Sequence, residues 1–131
     1  MENNFKIEII SPQKTIQSTT CKMVNIPAYE GEMSILKDHI STITFLRPGI
    51  IKVYKNENDY EEFFAEDGFV EFSKNNLIIL CTLIEKVKKL SKNYLDSLKK
   101  SIEEKLSMGN ISDEEKYLLN HKIDTISKIE I

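Results

Sequence analysis

Glu30 and Glu32 flank Gly31 just after Tyr29, and Asp38-His39 follows six residues later. Two carboxylates and an imidazole are the ingredients of a metal site or of acid–base catalysis. No nucleophile or oxyanion-hole motif accompanies them, and a lone His among acids is more often structural than catalytic. The cluster therefore reads first as an exposed loop. Gly31 supplies a backbone angle that a side chain resists, which places Glu30 and Glu32 at one exposed end of a sheet. A small hydrolase or metalloenzyme around His39 is the rival to that reading. The two cysteines, Cys21 and Cys81, lie sixty positions apart, which makes neither a zinc pattern nor a redox motif. Both fall in strand-like runs and read as buried free thiols in a reducing compartment. The four glycines are isolated, so no phosphate-cradling loop is present. Residues 86–106 hold 7 Lys against 3 acids. That basic run is either a solvated helix face or a surface for phosphates or an acidic partner.

Elements of two kinds must position these groups. The first 85 residues read as β. Phe5, Ile7 and Ile9 alternate with Lys6 and Glu8 at the period of a half-buried strand. Cys21 to Ile26, Thr42 to Leu46, Ile50 to Lys55, Tyr60 to Phe64, Phe69 to Phe72 and Leu77 to Leu83 follow as further extended runs. Between them stand Pro27, Arg47-Pro48-Gly49, Asn56-Glu57-Asn58-Asp59, Asp67-Gly68 and Ser73-Lys74-Asn75-Asn76, all turn signals. Many short strands at this spacing predict an antiparallel β-sandwich or barrel.

After Glu85 the period changes. Tyr94, Leu95, Leu98, Ile102 and Leu106 share one helical face, with Lys92, Lys99, Lys100 and Glu103 opposite. Ser91 is placed to cap that helix and Gly109 to end it. Ser112 with Glu115 has capping-box spacing and opens a second helix striped by Leu119, Ile123 and Ile126. His121 reads as a surface or hairpin residue. The fold class is thus an N-terminal antiparallel β-sandwich, residues 1–86, followed by a C-terminal antiparallel two-helix hairpin, residues 87–131.

Composition narrows the function. The chain has 131 residues, 40% hydrophobic and 30% charged, which suits a folded globular protein rather than a disordered one. A net charge of −3 argues against a generic nucleic-acid binder. The longest apolar run, Leu77 to Cys81, is five residues, far short of the ~20 a membrane helix needs. Met1 to Phe5 shows no basic stretch leading into an apolar core, so no signal peptide is expected. On residues alone, the chain is an interaction module without a visible active site.

The order of its motifs says more. Pro27, then Glu30-Gly31-Glu32-Met33-Ser34-Ile35, Asp38-His39, Arg47-Pro48-Gly49, Asp67-Gly68-Phe69-Val70-Glu71-Phe72 and Leu77 to Leu80 resembles the epsilon subunit of F-type ATP synthases, called delta in mitochondria. Here Ser34 stands where the family's loop usually has Gly, and of the following Pro-Gly-His only His39 matches. The resemblance implies a non-catalytic rotor subunit. Its sandwich would sit at the foot of the central stalk, against the gamma subunit and the c ring, with Glu30, Gly31, Glu32 and Met33 on the ring. In many bacterial members the helices extend into the catalytic head and block hydrolysis. Lys92, Lys99, Lys100 and Lys105 would then face the beta subunit. Some members bind ATP through an Ile/Leu-Asp-x-x-Arg-Ala motif. Leu90-Ser91-Lys92-Asn93-Tyr94-Leu95 lacks its Asp, Arg and Ala, so no cofactor is expected, and no metal. The expected place is the cytoplasmic face of a bacterial plasma membrane, held there through the complex. The competing reading is a free-standing soluble β-sandwich interaction module.

Overall fold

The computed structural model describes residues 3–129; Met1 and Glu2, part of the stretch read above for a signal peptide, lie outside them. The strands are β1 (Phe5–Ile10), β2 (Thr15–Cys21), β3 (Met23–Ala28), β4 (Gly31–Leu36), β5 (Thr42–Leu46), β6 (Gly49–Asn56), β7 (Asp59–Ala65), β8 (Gly68–Ser73), β9 (Asn76–Cys81) and β10 (Ile84–Lys86). Helices α1 (Lys92–Met108) and α2 (Asp113–Lys128) follow a short 3-10 turn at Val87–Lys89. Strand order is β10-β7-β6-β3-β5-β8-β9-β1-β2, with β4 added beside β3. The strand ladder passes from one half of this sheet to the other at the Ala28–Leu46 pair, the Gln17 side chain also bonds Glu61 across the halves, and both fold over one core. Pairing is antiparallel except between β1 and β9, which run parallel.

The expected alternation places the core. Phe5, Ile7 and Ile9 of β1 are buried, as are Ile51 and Val53 of β6; in β9, whose apolar run shows no alternation, it is Leu77 and Ile79 that turn inward. Each such side chain contributes about 1.5–3 kcal/mol by leaving water. At Gly68 the β8–β9 ladder is so close that a Cβ would run into the Leu80 carbonyl and stand 2.9 Å from the Cys81 Cα. Only glycine lets these two strands approach.

Three strands are not evident from the sequence. β2, Thr-Ile-Gln-Ser-Thr-Thr-Cys, carries too few apolar residues to show alternation, and Lys22 separates it from β3, so the Cys21–Ile26 run is really the end of one strand and most of the next. β4 begins at Gly31, inside what the sequence presents as a loop, and β10 is only three residues long.

The helix ends fall where the capping residues put them. The Ser91 and Ser112 hydroxyls accept hydrogen bonds from the Tyr94 and Glu115 amides at 3.1 Å, and Gly109 closes α1 at φ 68°. Leu95, Ile102, Leu119 and Ile126 form a second core with Leu90 and with Phe64 from β7. Tyr94 departs from the expected apolar face. It stands at the rim of the stripe and is 49% exposed.

Candidate functional site

The acidic segment is a β-hairpin rather than a free loop. Tyr29 and Glu30 form its two-residue turn, and Ala28 pairs with Gly31. Gly31 has φ +150°, a conformation open essentially to glycine, and a Cβ there would meet nothing within 4 Å. The constraint is therefore conformational rather than steric. Glu30 is exposed at the tip. Glu32 and Met33 belong to β4, where alternation turns Glu32, Ser34 and Leu36 outward and seats Met33 against the main core. Among the described residues β4 pairs with β3 alone, which makes it an edge strand, a natural contact edge for a partner.

The same strand separates the carboxylates from the imidazole. Glu30 precedes β4 and His39 follows it, so roughly 20 Å of extended chain lies between them. The metal or acid–base cluster that their spacing allowed does not assemble. Asp38 exchanges two hydrogen bonds with the Asn75 side chain, at 2.7 and 2.9 Å, bracing the β4–β5 turn. His39 lies edge-on to Phe72, ring centroids 5.9 Å apart.

A second surface lies on the outer side of β5, β8, β9 and β1. Register places Phe45 opposite Phe69, Phe69 opposite Leu80, and Leu80 opposite Ile10. These four side chains make an apolar row across four strands. Phe45 is 67% exposed, and Ile43, one row away, is 69% exposed. The row floors a groove of about 920 Å³ whose far wall includes Glu114 and Leu118 of α2. A strand that is apolar on both faces is built to be covered on both. The sequence signal was the unbroken Leu77–Cys81 run, too short for a membrane but right for a strand buried twice.

The hairpin is docked by contacts that the sequence did not announce. Tyr117 Oη donates to the Tyr29 carbonyl at 2.8 Å, and their rings lie 5.2 Å apart. Thr125 Oγ1 gives its one proton to the His121 carbonyl a turn back at 2.8 Å and rests 3.4 Å from the Pro48 carbonyl. Lys122 pairs with Glu66, both largely buried, and burial lowers the Lys122 pKa. The tip of the acidic hairpin thus leans on α2.

The four candidate lysines of α1 do not gather into one patch. At about 100° per residue, Lys92 and Lys99 fall on one flank and Lys105 on the other, with Lys100 between them on the solvent side. Lys99 is half-buried and, with Lys92, lines a small cleft against Ile126 and Ile129. Cys21 and Cys81 are free and buried, and burial pushes both thiols up to about 12, with Asp67 adding to the effect at Cys81. Such thiols stay protonated and unreactive. Among the described residues no helix is long and apolar enough to cross a membrane.

Fold and surfaces together define a class: a stiff β-sandwich carrying an acidic edge, an apolar outer face and a docked helical hairpin, equipped for assembly with other proteins. Comparison with known proteins makes the class specific. Residues 4–87 match the model of the ATP synthase delta/epsilon chain β-sandwich domain. The ATP synthase epsilon chain of Pelagibacter ubique (strain HTCC1062) is 42% identical over 130 residues, covering 98% of this chain and 99% of that one. This chain belongs to the ATP synthase delta/epsilon family. Its fold is that of a chain in the Euglena gracilis mitochondrial ATP synthase OSCP/F1/c-ring structure, at TM-score 0.75 and 18% identity over 92% of this chain and 78% of that one. A chain of the Tetrahymena thermophila mitochondrial ATP synthase central stalk and c ring gives TM-score 0.65 at 15% identity, over 94% of this chain and 93% of that one.

Proposed function

We propose that this chain is a non-catalytic central-stalk subunit of an F-type ATP synthase, coupling the gamma subunit to the c ring during proton-driven ATP synthesis. The observation that carries the reading is the full-length similarity to an epsilon chain, in which sandwich and hairpin are matched together. A rotor part must transmit torque, and a close-packed core resists deformation. The β4 edge, with Glu30, Gly31, Glu32 and Met33 at its start, is the surface we assign to the polar loops of the c ring. The apolar row through Phe45, Phe69 and Leu80 is assigned to the gamma subunit. The protein then lies on the cytoplasmic face of a bacterial plasma membrane, held by its partners. A pull-down from native membranes should recover gamma and c together; a chain that stays soluble without companions would reverse the reading.

Charge reversal at the ring contact tests the coupling role. Glu32 is exposed and outward-facing, so Glu32→Lys should leave the isolated chain's stability within about ±0.5 kcal/mol. In reconstituted vesicles the same change should depress proton-driven ATP synthesis, because reversing the charge at a polar contact alters its electrostatic complementarity and register. Normal synthesis would remove Glu32 from the contact.

We further propose that the sandwich, residues 1–86, folds without the hairpin and that residues 87–131 brake ATP hydrolysis through Lys92, Lys99, Lys100 and Lys105 on the beta subunit. A chain ending at residue 86 should still unfold cooperatively, and its enzyme should hydrolyse ATP faster. Changing Lys99 and Lys100 to Glu should produce the same acceleration. Hydrolysis unaltered by both changes would reduce the hairpin to packing.

A further inference from the structure

Tyr117, His121 and Thr125 stand at i, i+4 and i+8 and form one ridge of α2. Both ends touch the sandwich: Tyr117 Oη donates to the Tyr29 carbonyl, and the Thr125 hydroxyl, which donates to the His121 carbonyl at 2.8 Å, rests 3.4 Å from the Pro48 carbonyl. His121 lies between them, half-buried, its ring 4.5 Å from that of Tyr117 and inclined at 70°. It borders a cleft of about 290 Å³, to which the sandwich contributes Glu32 and Arg47 and the helix Asp124 and Lys128.

We propose that His121 makes the docking of the helical hairpin pH-responsive: its protonation on the acid side of neutrality loosens the α2 ridge from the β3–β4 and β5–β6 turns. A charged imidazole in this cleft would lose water and face two cations, Arg47 across the interface and Lys128 on its own helix. Asp124 opposes them and Glu32 stands on the sandwich wall. Lys122, next in the chain, is engaged by Glu66. The balance lowers the His121 pKa, burial first, then Arg47, with Lys128 adding and Asp124 partly offsetting.

With the hairpin undocked, His121 returns to water and to an ordinary pKa of about 6.5. The docked form therefore binds the proton more weakly. Docking is at full strength above about pH 6.5 and weakens as the pH falls through the interval below it. One proton per chain limits the response to about tenfold per pH unit. Carboxylates titrate lower, near 4, so the interval from pH 7.5 to 5.5 isolates histidine. The other histidine, His39, lies beyond the far end of β4 and serves as the control. These contacts lie within the chain itself, so the inference holds or fails separately from the rotor reading.

Hydrogen exchange on the isolated full-length chain tests it, with rates corrected for the intrinsic pH dependence of amide exchange. Protection of α2 should drop several-fold between pH 7.5 and 5.5 while the buried strands β1 and β9 keep theirs. His39→Gln should behave like the parent, and His121→Gln should show no pH response in α2. Constant α2 protection in the parent, or an unchanged response in His121→Gln, overturns the proposal. NMR titration of the parent's imidazoles gives a reading that needs no variant. The His121 midpoint should lie below the ordinary value and should rise in Arg47→Gln. A midpoint at or above the ordinary value, or one indifferent to Arg47, also overturns it.

Discussion

Replacing Phe45 by Asp should release the chain from its complex while leaving it folded. Phe45 stands 67% exposed at the end of the apolar row, where β5 pairs with β8. An aromatic anchor buried on assembly costs about 2–4 kcal/mol when removed, a loss of roughly 30- to 1,000-fold in affinity. A carboxylate at the same place adds an unpaired charge to an apolar contact and works in the same direction. In the free chain Phe45 loses only its cross-strand partner Phe69, a matter of about 0.2–1 kcal/mol. Binding to the purified gamma subunit and urea unfolding of the free chain separate the two effects. Leu80→Asp, two strands along the row, should repeat the result. Full affinity in both variants would mean that another face meets the stalk.

The largest effect on stability is expected at the centre of the core. Ile51 of β6 is 0% exposed, and its register partner on β7, Phe63, is equally buried. Ile51→Ala removes buried methyl groups and leaves a cavity that a close-packed sandwich cannot fully collapse. The cost should be about 2–5 kcal/mol. Against a total stability of about 5–15 kcal/mol that is a large fraction. The unfolding temperature should fall by roughly 6–20 °C. Lys52→Ala, one residue on and on the opposite face, loses a cation–π contact with Tyr60 and should cost no more than about 1 kcal/mol. Urea denaturation of the two variants checks the contrast. Equal costs would contradict the inward placement of Ile51.

How legible the chain was depended on the range of the interaction that decides each feature. Phe5, Ile7 and Ile9 could be assigned to the core because a strand's two-residue period is a local property. Ser91, Gly109 and Ser112 marked helix ends because caps act within one turn. β2 stayed hidden because its Thr-rich sequence gains its strand state from pairing with β1, not from its own pattern. The conformational role of Gly31 is local and legible, whereas the strand that it opens is not, since β4 is held by pairing with β3.

The sequence by itself determined the two-part architecture, both ends of α1 and the start of α2, the inward face of β1 and β6 and, through the order of its motifs, the family. Only the tertiary structure decided which distant groups meet. Tyr29 and Tyr117 are 88 residues apart, and Pro48 and Thr125 are 77 apart. Glu66 and Lys122, or Arg47 and His121, face each other only because the hairpin lies against β6 and β7. Likewise, Phe45, Phe69, Leu80 and Ile10 form a row only in one strand order and one register. The physical reason is that residue spacing sets the direction of a side chain relative to its own backbone. Its partner is set by the closure of long loops and the packing of whole layers, which no local pattern encodes.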